Sequence, residues 1–415
     1  MAISTDPSLD SLTDLSIKRV RDLMDESDKN RQRNEKANRR RVARLFKDPK
    51  AIQATITLTD EVMRIQSVKA SARIFRRASR MASVVGFGAF NAFGLKVLNL
   101  ISRLLPGASV ALVHQRVRAL SKDQILPFEQ QQLHRHLDDR KEEGIKLNIN
   151  VLGEAVLGDH EAEERFNLIL EMMRRPEVNY ISVKLSAVVA QLITIDFDNS
   201  IKRVSEKMRI LYREANAHAT FINLDMEEYR DLPMTVAAFK AVLSEPEFEQ
   251  TNAGIVLQAY LPESHSFFAE LAEWSKQRHA KSGAHIKIRL VKGANLAMEN
   301  AEAELHGWVS APYKSKSDVD ASYVRLVDTA LRAENSKAVR IGIASHNLFH
   351  MTWALEVAKS RGVVDQIDIE MLEGMANAEA LAVTRAGQPV LLYAPVTRKD
   401  DFAAAVAYLV RRLDE

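Results

Sequence analysis

Eight short apolar runs constrain this chain more than any other feature. They are Leu147–Leu152, Ile181–Leu185, Phe221–Met226, Ile255–Leu261, Ile286–Val291, Ile341–Ala344, Ile367–Leu372 and Val390–Val396. Each is followed by a segment with helical spacing, as in Ala162–Met173, Ile201–Ala215, Ser322–Ala333 and Phe402–Leu413. Runs this short read as strands buried on both faces, and their alternation with helices implies parallel pairing through crossover helices. Eight such units over about 270 residues place the chain in the α/β class and fit a closed (β/α)8 barrel of the TIM type. An open doubly wound sheet is the competing arrangement. No G-x-G-x-x-G follows a strand and no P-loop is present, which weighs against it.

The region before the barrel has a different texture. Residues 1–140 show helix-like spacing with few β-branched runs, and they predict a helical arm and helical domain ahead of a barrel over 145–415. Between Lys18 and Lys47 there are twelve Lys/Arg against five Asp/Glu. That surplus is local. The net charge of the whole chain is only +3, too small to imply a polyanionic partner, and no nucleic acid is expected. With no cysteine, disulfides, thiolate nucleophiles and Cys-ligated metals are excluded. No metal site is expected. The most apolar stretch, Val84–Leu105, is interrupted by Asn91, Lys96, Asn99 and Arg103, so it reads as a buried or interfacial helix pair and not as a membrane span. No apolar core follows a basic start at the N-terminus, so a secretory leader is not expected.

In a (β/α)8 barrel, chemistry gathers where the strands end. The ends of these runs are polar. Glu154 closes the first, Lys184 the second, and Asp225, Glu227 and Glu228 the third. The fourth carries Gln258 and Tyr260, the fifth Arg289 and Lys292 before Gly293. The sixth ends at Ser345-His346-Asn347, the seventh at Glu373-Gly374 and the eighth at Tyr393. A charged side chain inside an apolar run is costly unless paired. One such residue is readily a satisfied core group. The same pattern at the same end of all eight runs reads as a site. Glu227 and Glu228 read as structural ion-pair partners, and Tyr260 as packing.

At the C-terminal end, residues 408, 411, 412 and 415 are spaced i, i+3, i+4, i+7, so one helical face gathers Tyr408, Arg411, Arg412 and Glu415. Arginine forks match carboxylate geometry, so this face can hold a small carboxylate. A solvated basic helix end, favourable to the helix dipole, explains the spacing equally well.

The runs Tyr180-Ile181-Ser182-Val183-Lys184-Leu185-Ser186, Asn223-Leu224-Asp225-Met226-Glu227-Glu228, Arg289-Leu290-Val291-Lys292-Gly293, Ala344-Ser345-His346-Asn347, Tyr393-Ala394-Pro395-Val396 and Tyr408-Leu409-Val410-Arg411-Arg412 resemble proline dehydrogenase. They are most similar to the proline dehydrogenase portion of bifunctional proline utilization A. The likeness runs in order over about residues 145–415, and weakly over the helical region before. It implies a (β/α)8 barrel with non-covalent FAD, oxidation of L-proline to Δ1-pyrroline-5-carboxylate and transfer of electrons to a membrane quinone. It implies fusion to an aldehyde dehydrogenase domain that this sequence does not contain. It implies a cytoplasmic location, with a peripheral position at the inner membrane face left open.

Carried onto this sequence, the resemblance implies that Arg411 and Arg412 grip the proline carboxylate, with Glu415 orienting Arg411 and Glu154 supporting the clamp. Tyr393 and Tyr408 would shape the pocket beside the flavin, and Leu372 would add an apolar wall. Lys184 and Asp225 would complete a polar floor and serve catalysis. Gln258, Arg289, Lys292, Gly293, His346 and Asn347 would form the cofactor site. Three positions depart from the family pattern. Asn295 stands where an aromatic residue is common, Val319 where a threonine is expected, and Thr397 where a glycine is usual. They bear on packing at the flavin edge and not on the reaction. Two other functions stay open on the residues alone: a Schiff-base aldolase using Lys184 or Lys292, and a non-catalytic basic module binding nucleic acid or an anionic membrane through residues 18–47.

Overall fold

The computed structural model describes residues 9–398 apart from 32, 46, 66, 83, 122–123, 153–155 and 157, and also residues 401, 402 and 405. The chain divides into two compact units, one of Met1–Glu26 with His134–Pro395 and one of Ser27–Leu133 with Val396–Glu415.

The first unit holds the barrel. Its strands are β1 (Ile145–Val151), β2 (Tyr180–Lys184), β3 (Phe221–Asp225), β4 (Ala253–Gln258), β5 (Ile286–Val291), β6 (Val339–Ala344), β7 (Ile367–Leu372) and β8 (Val390–Thr397). Each is hydrogen-bonded to the next in order, and β8 also borders β1, so the sheet closes. Consecutive strands pair in parallel, from Lys184 opposite Asp225 round to Leu372 opposite Tyr393. The expected (β/α)8 barrel is therefore present. The alternating apolar positions supply the wall, with Ile149, Ile181, Leu224, Ile255, Ile288 and Ile343 all buried.

Element ends differ from the expected ones in instructive ways. The fourth strand stops at Gln258 instead of running to Leu261. Leu261 N–H turns back to Gln258 O at 3.1 Å, and Pro262 follows with no N–H to donate, so Tyr260 lies past the strand. The helix expected from Ser322 begins at Lys316, because Ser315 caps it by accepting from Asp318 N–H at 3.1 Å. An additional helix, Leu296–His306, sits between β5 and Lys316.

Behind the barrel entrance, Arg140 on the helix Gln130–Glu142 is buried against Glu373, with Asn377 Oδ1 at 3.1 Å and Glu143 at 2.7 Å. Burial opposes the charge on Glu373, but contacts from His136 and Arg140 outweigh it and hold its carboxyl below the ordinary range.

The second unit is helical, with Arg33–Leu45, Pro49–Ile56, Val68–Met81, Ala89–Leu104 and Pro106–Ser121 as its longer helices. Asp48 begins one of them by accepting from Lys50 N–H at 3.0 Å, with Pro49 in the first turn. Ala51, Ala54, Ala72, Phe75, Val110 and Val113 form its interior. A two-residue strand, Leu126–Pro127, pairs in parallel with Val396 and Thr397 and was not foreseen. The apolar stretch Val84–Leu105 does form two helices, Val84–Phe87 and Ala89–Leu104. Their outward face is exposed, so of the two expectations the buried one fails.

Candidate active site at the carboxyl ends of the strands

Asp225, the last residue of β3, is the hub of the strand-end cluster. Its register partner on β2 is Lys184. Asp225 Oδ2 accepts from the Tyr393 hydroxyl at 2.6 Å, and Oδ1 accepts from the Arg289 guanidinium and from Asn223 Nδ2 at 3.3 Å. All four side chains are buried. The Arg289 guanidinium also stands over the Tyr393 ring, 5.1 Å from its centroid. Burial would lower the Arg289 pKa, but Asp225 and Glu370 outweigh it and raise it above the ordinary value.

Around the hub, Lys184 donates to Glu227 at 2.8 Å. Gln258 Nε2 donates to Glu227 O at 3.3 Å, and Asn295 Nδ2 donates to the same carbonyl at 2.9 Å. Asn295 thus anchors the loop after β5 to the loop after β3, which gives this departure from the family pattern a structural role. Gln258 Oε1 is buried with no donor among the described residues. Glu228 pairs with Arg230 at 2.6 Å, so both glutamates are the ion-pair partners the sequence suggested.

Lys292 pairs with Asp320, and its carbonyl accepts from Tyr260 N–H at 2.7 Å. Gly293 follows with φ +128°, and a Cβ there would lie 2.4 Å from the Tyr260 ring. Conformation and space both require glycine at that position. Just past β6, His346 Nε2 accepts from the N–H of Leu372 on β7 at 3.0 Å, which places the proton of a neutral ring on Nδ1. Asn347 caps the helix Leu348–Ser360, its Oδ1 accepting from Phe349 and His350 N–H. His346 and Asn347 are exposed and Leu372 is half-buried.

The structure thus gathers Asp225, Arg289, Tyr393, Lys184, Gln258, Lys292, Gly293, His346, Asn347 and Leu372 at the carboxyl ends of the strands. Glu154, Tyr408, Arg411, Arg412 and Glu415 lie outside the described residues. Among the described residues, no group of three or more His, Asp or Glu is placed to hold a metal ion.

Sequence reasoning missed the layer beneath. Lys287 is buried in the barrel and bonds Glu370 at 2.7 Å and Asp368 at 2.8 Å. Glu370 in turn lies 3.6 Å from Arg289, and Asp368 lies 3.7 Å from Arg340. Charges of alternating sign therefore run along the axis from Arg340 through Asp368, Lys287, Glu370 and Arg289 to Asp225. Burial opposes the Lys287 ammonium, but Glu370 and Asp368 outweigh it and raise its pKa. Gly342 makes room, since a Cβ there would stand 2.2 Å from Glu370 Oε1. The available signal was the period-two placement of Lys287 and Arg289 on β5 and of Asp368 and Glu370 on β7.

A closed parallel barrel with a buried polar cluster at its carboxyl face has the architecture of the (β/α)8-barrel enzymes. The chain belongs to the proline dehydrogenase family, whose family model, described as Proline dehydrogenase, matches residues 133–415. It is 27% identical over 296 residues to the bifunctional protein PutA of Escherichia coli K12, covering 66% of this chain and 22% of that protein. It is 26% identical over 325 residues to the proline dehydrogenase of Deinococcus radiodurans, covering 77% of this chain and 87% of that protein. Among solved structures, proline utilization A from Corynebacterium freiburgense superposes with a TM-score of 0.69 at 50% identity, over 72% of this chain and 31% of that one. The Bdellovibrio bacteriovorus protein inactivated by N-propargylglycine superposes over 98% of this chain and 41% of that one, with a TM-score of 0.79. At 24% identity that likeness speaks to the fold alone. The chain spans only about a fifth of the PutA relatives it matches, 22% of the Escherichia coli protein.

Proposed function

We propose that this chain is the FAD-dependent dehydrogenase module that oxidises L-proline to Δ1-pyrroline-5-carboxylate and delivers the electrons to a membrane quinone. Family membership supports the substrate. The observation that carries the reading is the buried Asp225–Arg289–Tyr393 cluster at the strand ends, beside Gln258 Oε1, which has no donor among the described residues.

The residues present suit a flavin. Gln258 Oε1 is a buried acceptor lacking a donor among the described residues, which a ring N–H or a ribityl hydroxyl would satisfy. Arg289 and Lys292 would supply positive charge, and Gly293, His346 and Asn347 would complete the cofactor site. FAD, when bound, supplies the two-electron acceptor that no side chain can be. The chain's own part is orientation. Arg411 and Arg412 would hold the proline carboxylate as a fork, with Glu415 and Glu154 steadying the arginines, so a small substrate is fixed by charge at one end. Tyr393, Tyr408 and Leu372 would wall the pocket. Asp225 has both oxygens engaged, so its part is to hold Arg289 and Tyr393 in place, and Lys184 with Glu227 would form the polar floor.

In this reading residues 145–415 form the catalytic barrel and 1–140 its helical arm and domain. The product is reactive and needs a consumer. An aldehyde dehydrogenase partner of the kind that makes the family's long members bifunctional would serve, and the small share of the PutA relatives spanned here supports it.

The Schiff-base alternative is disfavoured by surroundings. Lys184 stands against Glu227 and Lys292 against Asp320, whereas an activated lysine sits in apolar or cationic surroundings. The visible spectrum of purified protein tests the choice. A flavin band that bleaches anaerobically with proline supports the reading. A colourless protein that borohydride and a carbonyl substrate modify at lysine overturns it.

A further inference from the structure

The inside of this barrel is charged where branched apolar side chains ordinarily fill the space in layers. Residues directly paired on neighbouring strands share a face of the sheet, so Asn150, Ser182, Asn223, Gly254, Lys287 and Arg340 form one row across six strands. The row faces inward, because Arg289, two residues along β5 from Lys287, reaches Ser182 on β2 and Asp225 on β3. Lys287 and Glu370 are each only 3% exposed. Asn148 Oδ1, Asn150 Nδ2 and Asn223 Oδ1 are buried without a partner among the described residues. A buried ion pair seldom adds stability over apolar side chains of the same volume, and orphaned amide atoms subtract from it. Stability does not account for this interior.

Its layout leads to the strand-end cluster. Arg289 is gripped from three strands, by Asp225 on β3, by Ser182 Oγ on β2 at 3.3 Å and by Glu370 on β7 at 3.6 Å. Glu370 ties it to a second cation, since Lys287 pairs with Glu370 at 2.7 Å. Gly342 admits this pair, for a Cβ there would stand 2.2 Å from Glu370 Oε1 and 3.1 Å from Lys287 Cε. Burial opposes the charge on Lys287 and on Arg289, but their carboxylate neighbours outweigh it and raise both above their ordinary values, so both stay cationic. Lys287, Glu370, Arg289 and Asp225 therefore carry two charges of each sign. Removing Glu370 leaves the set net positive, and removing Lys287 leaves it net negative.

We propose, resting on the reading of the barrel as a flavin site, that Lys287 and Glu370 are positioning residues that fix Arg289 and set the charge it presents to the flavin. Both act through Arg289 from the layer beneath the strand ends. Glu370 steadies the guanidinium, and Lys287 offsets Glu370 so that Arg289 is not neutralised twice over. Taking up a hydride adds one negative charge to a flavin. A more positive interior therefore favours the reduced form and a more negative one the oxidised form. A unit charge acting over about 10 Å at an effective dielectric constant of about 20 changes such an equilibrium by roughly tenfold.

The test is the flavin reduction potential of the full chain supplied with FAD, read from the visible spectrum at anaerobic equilibrium with a reference dye. Glu370→Gln should raise the reduced-to-oxidised ratio about tenfold and Lys287→Met should lower it about tenfold, each about 30 mV for a two-electron couple. Lys287→Met/Glu370→Gln should return to within about threefold of wild type, because the charges balance again. Both single variants lose stability, so a role in packing alone would move the potential one way or not at all. Asp368→Asn keeps the proposal testable where a buried variant does not fold. Asp368 is 24% exposed at the far end of the column, 2.8 Å from Lys287. Its neutralisation should raise the ratio about threefold, in the sense of Glu370→Gln. Melting curves certify the fold of each variant. Shifts of the same sign in Glu370→Gln and Lys287→Met, or no shift in any variant that keeps its flavin, overturn the proposal and leave the reading of the barrel standing. A wild-type chain that takes up no flavin overturns both.

Discussion

The Tyr393 hydroxyl donates to Asp225 Oδ2 at 2.6 Å, joining the last barrel strand to the third across the axis, between residues 168 positions apart. The other Asp225 oxygen is taken by Arg289. This carboxylate therefore ties three strands together at the candidate site. Tyr393→Phe removes one donor and keeps the ring under Arg289. A hydrogen bond to a charged group is worth about 1.5–3 kcal/mol, so urea denaturation should show a loss of that order. Asp225→Ala should cost more, about 3–5 kcal/mol, because among the described residues Arg289 then keeps only the more distant Glu370 as a carboxylate partner. Equal losses for the two variants would refute the hub assignment.

The buried Lys287–Glu370 pair makes a separate prediction. Lys287→Met leaves Glu370 short of a cation, and Glu370→Gln leaves Lys287 and Arg289 short of an anion. Each single variant should lose about 3–5 kcal/mol. The double variant leaves Arg289 balanced by Asp225, so it should be less destabilised than the two singles summed, by about 1 kcal/mol or more in a double-mutant cycle. Strict additivity would mean the pair does not act as one.

Asp231 stands at the start of the helix Leu232–Leu243 and makes no side-chain cap. Burial first, and then Glu228, push its carboxyl up to about 7, with Glu227 and Glu299 adding to the shift and Arg230 opposing it. In the unfolded chain the group titrates in the ordinary carboxylate range. Between the two values the folded state holds the extra proton, so stability falls as pH rises from that range toward 7 and then levels off. Asp231→Asn removes the dependence. Its melting temperature should exceed wild type at pH 8, and the gap should close at pH 4. A gap independent of pH would count against the shift.

Arg412 carries the kinetic prediction. If the C-terminal basic face holds the proline carboxylate, Arg412→Met should lower kcat/KM for proline about thirtyfold or more, since truncating one partner of a buried charge pair costs roughly 2–5 kcal/mol. The change should lie mainly in KM, with flavin content unaltered. It should also abolish the preference for proline over pyrrolidine, which lacks the carboxylate. Wild-type kinetics would return that face to a solvated helix end.

Much of the barrel was legible before its structure. Ile286–Val291 and Ile367–Leu372 were read to the residue, because strands buried on both faces leave unbroken apolar runs. The strand-end residues were legible too, since a charge in such a run has few reasons to be there. Tyr260 was misplaced because Pro262 and the turn at Leu261 end the strand early, and an apolar run carries no mark of its own end. Glu370 and Lys287 were passed over for the opposite reason. They sit inside runs, where a polar residue resembles an outward-facing one until the register is known.

By itself the sequence determined the alternation of eight strands with helices, the absence of thiol chemistry, and the set of polar residues at the strand ends. These are local properties, carried by periodicity and residue type over a few positions. Only the tertiary structure decided which cation meets which carboxylate. Closing the barrel brings Tyr393 to Asp225, Glu370 to Lys287 and Arg289, and Glu373 to Arg140. It likewise decided that Ala92 and Ser102 turn inward while Phe90, Phe93 and Leu104 on the same helix face outward. Such pairings depend on register and on the packing of distant segments, and no window of sequence contains both partners.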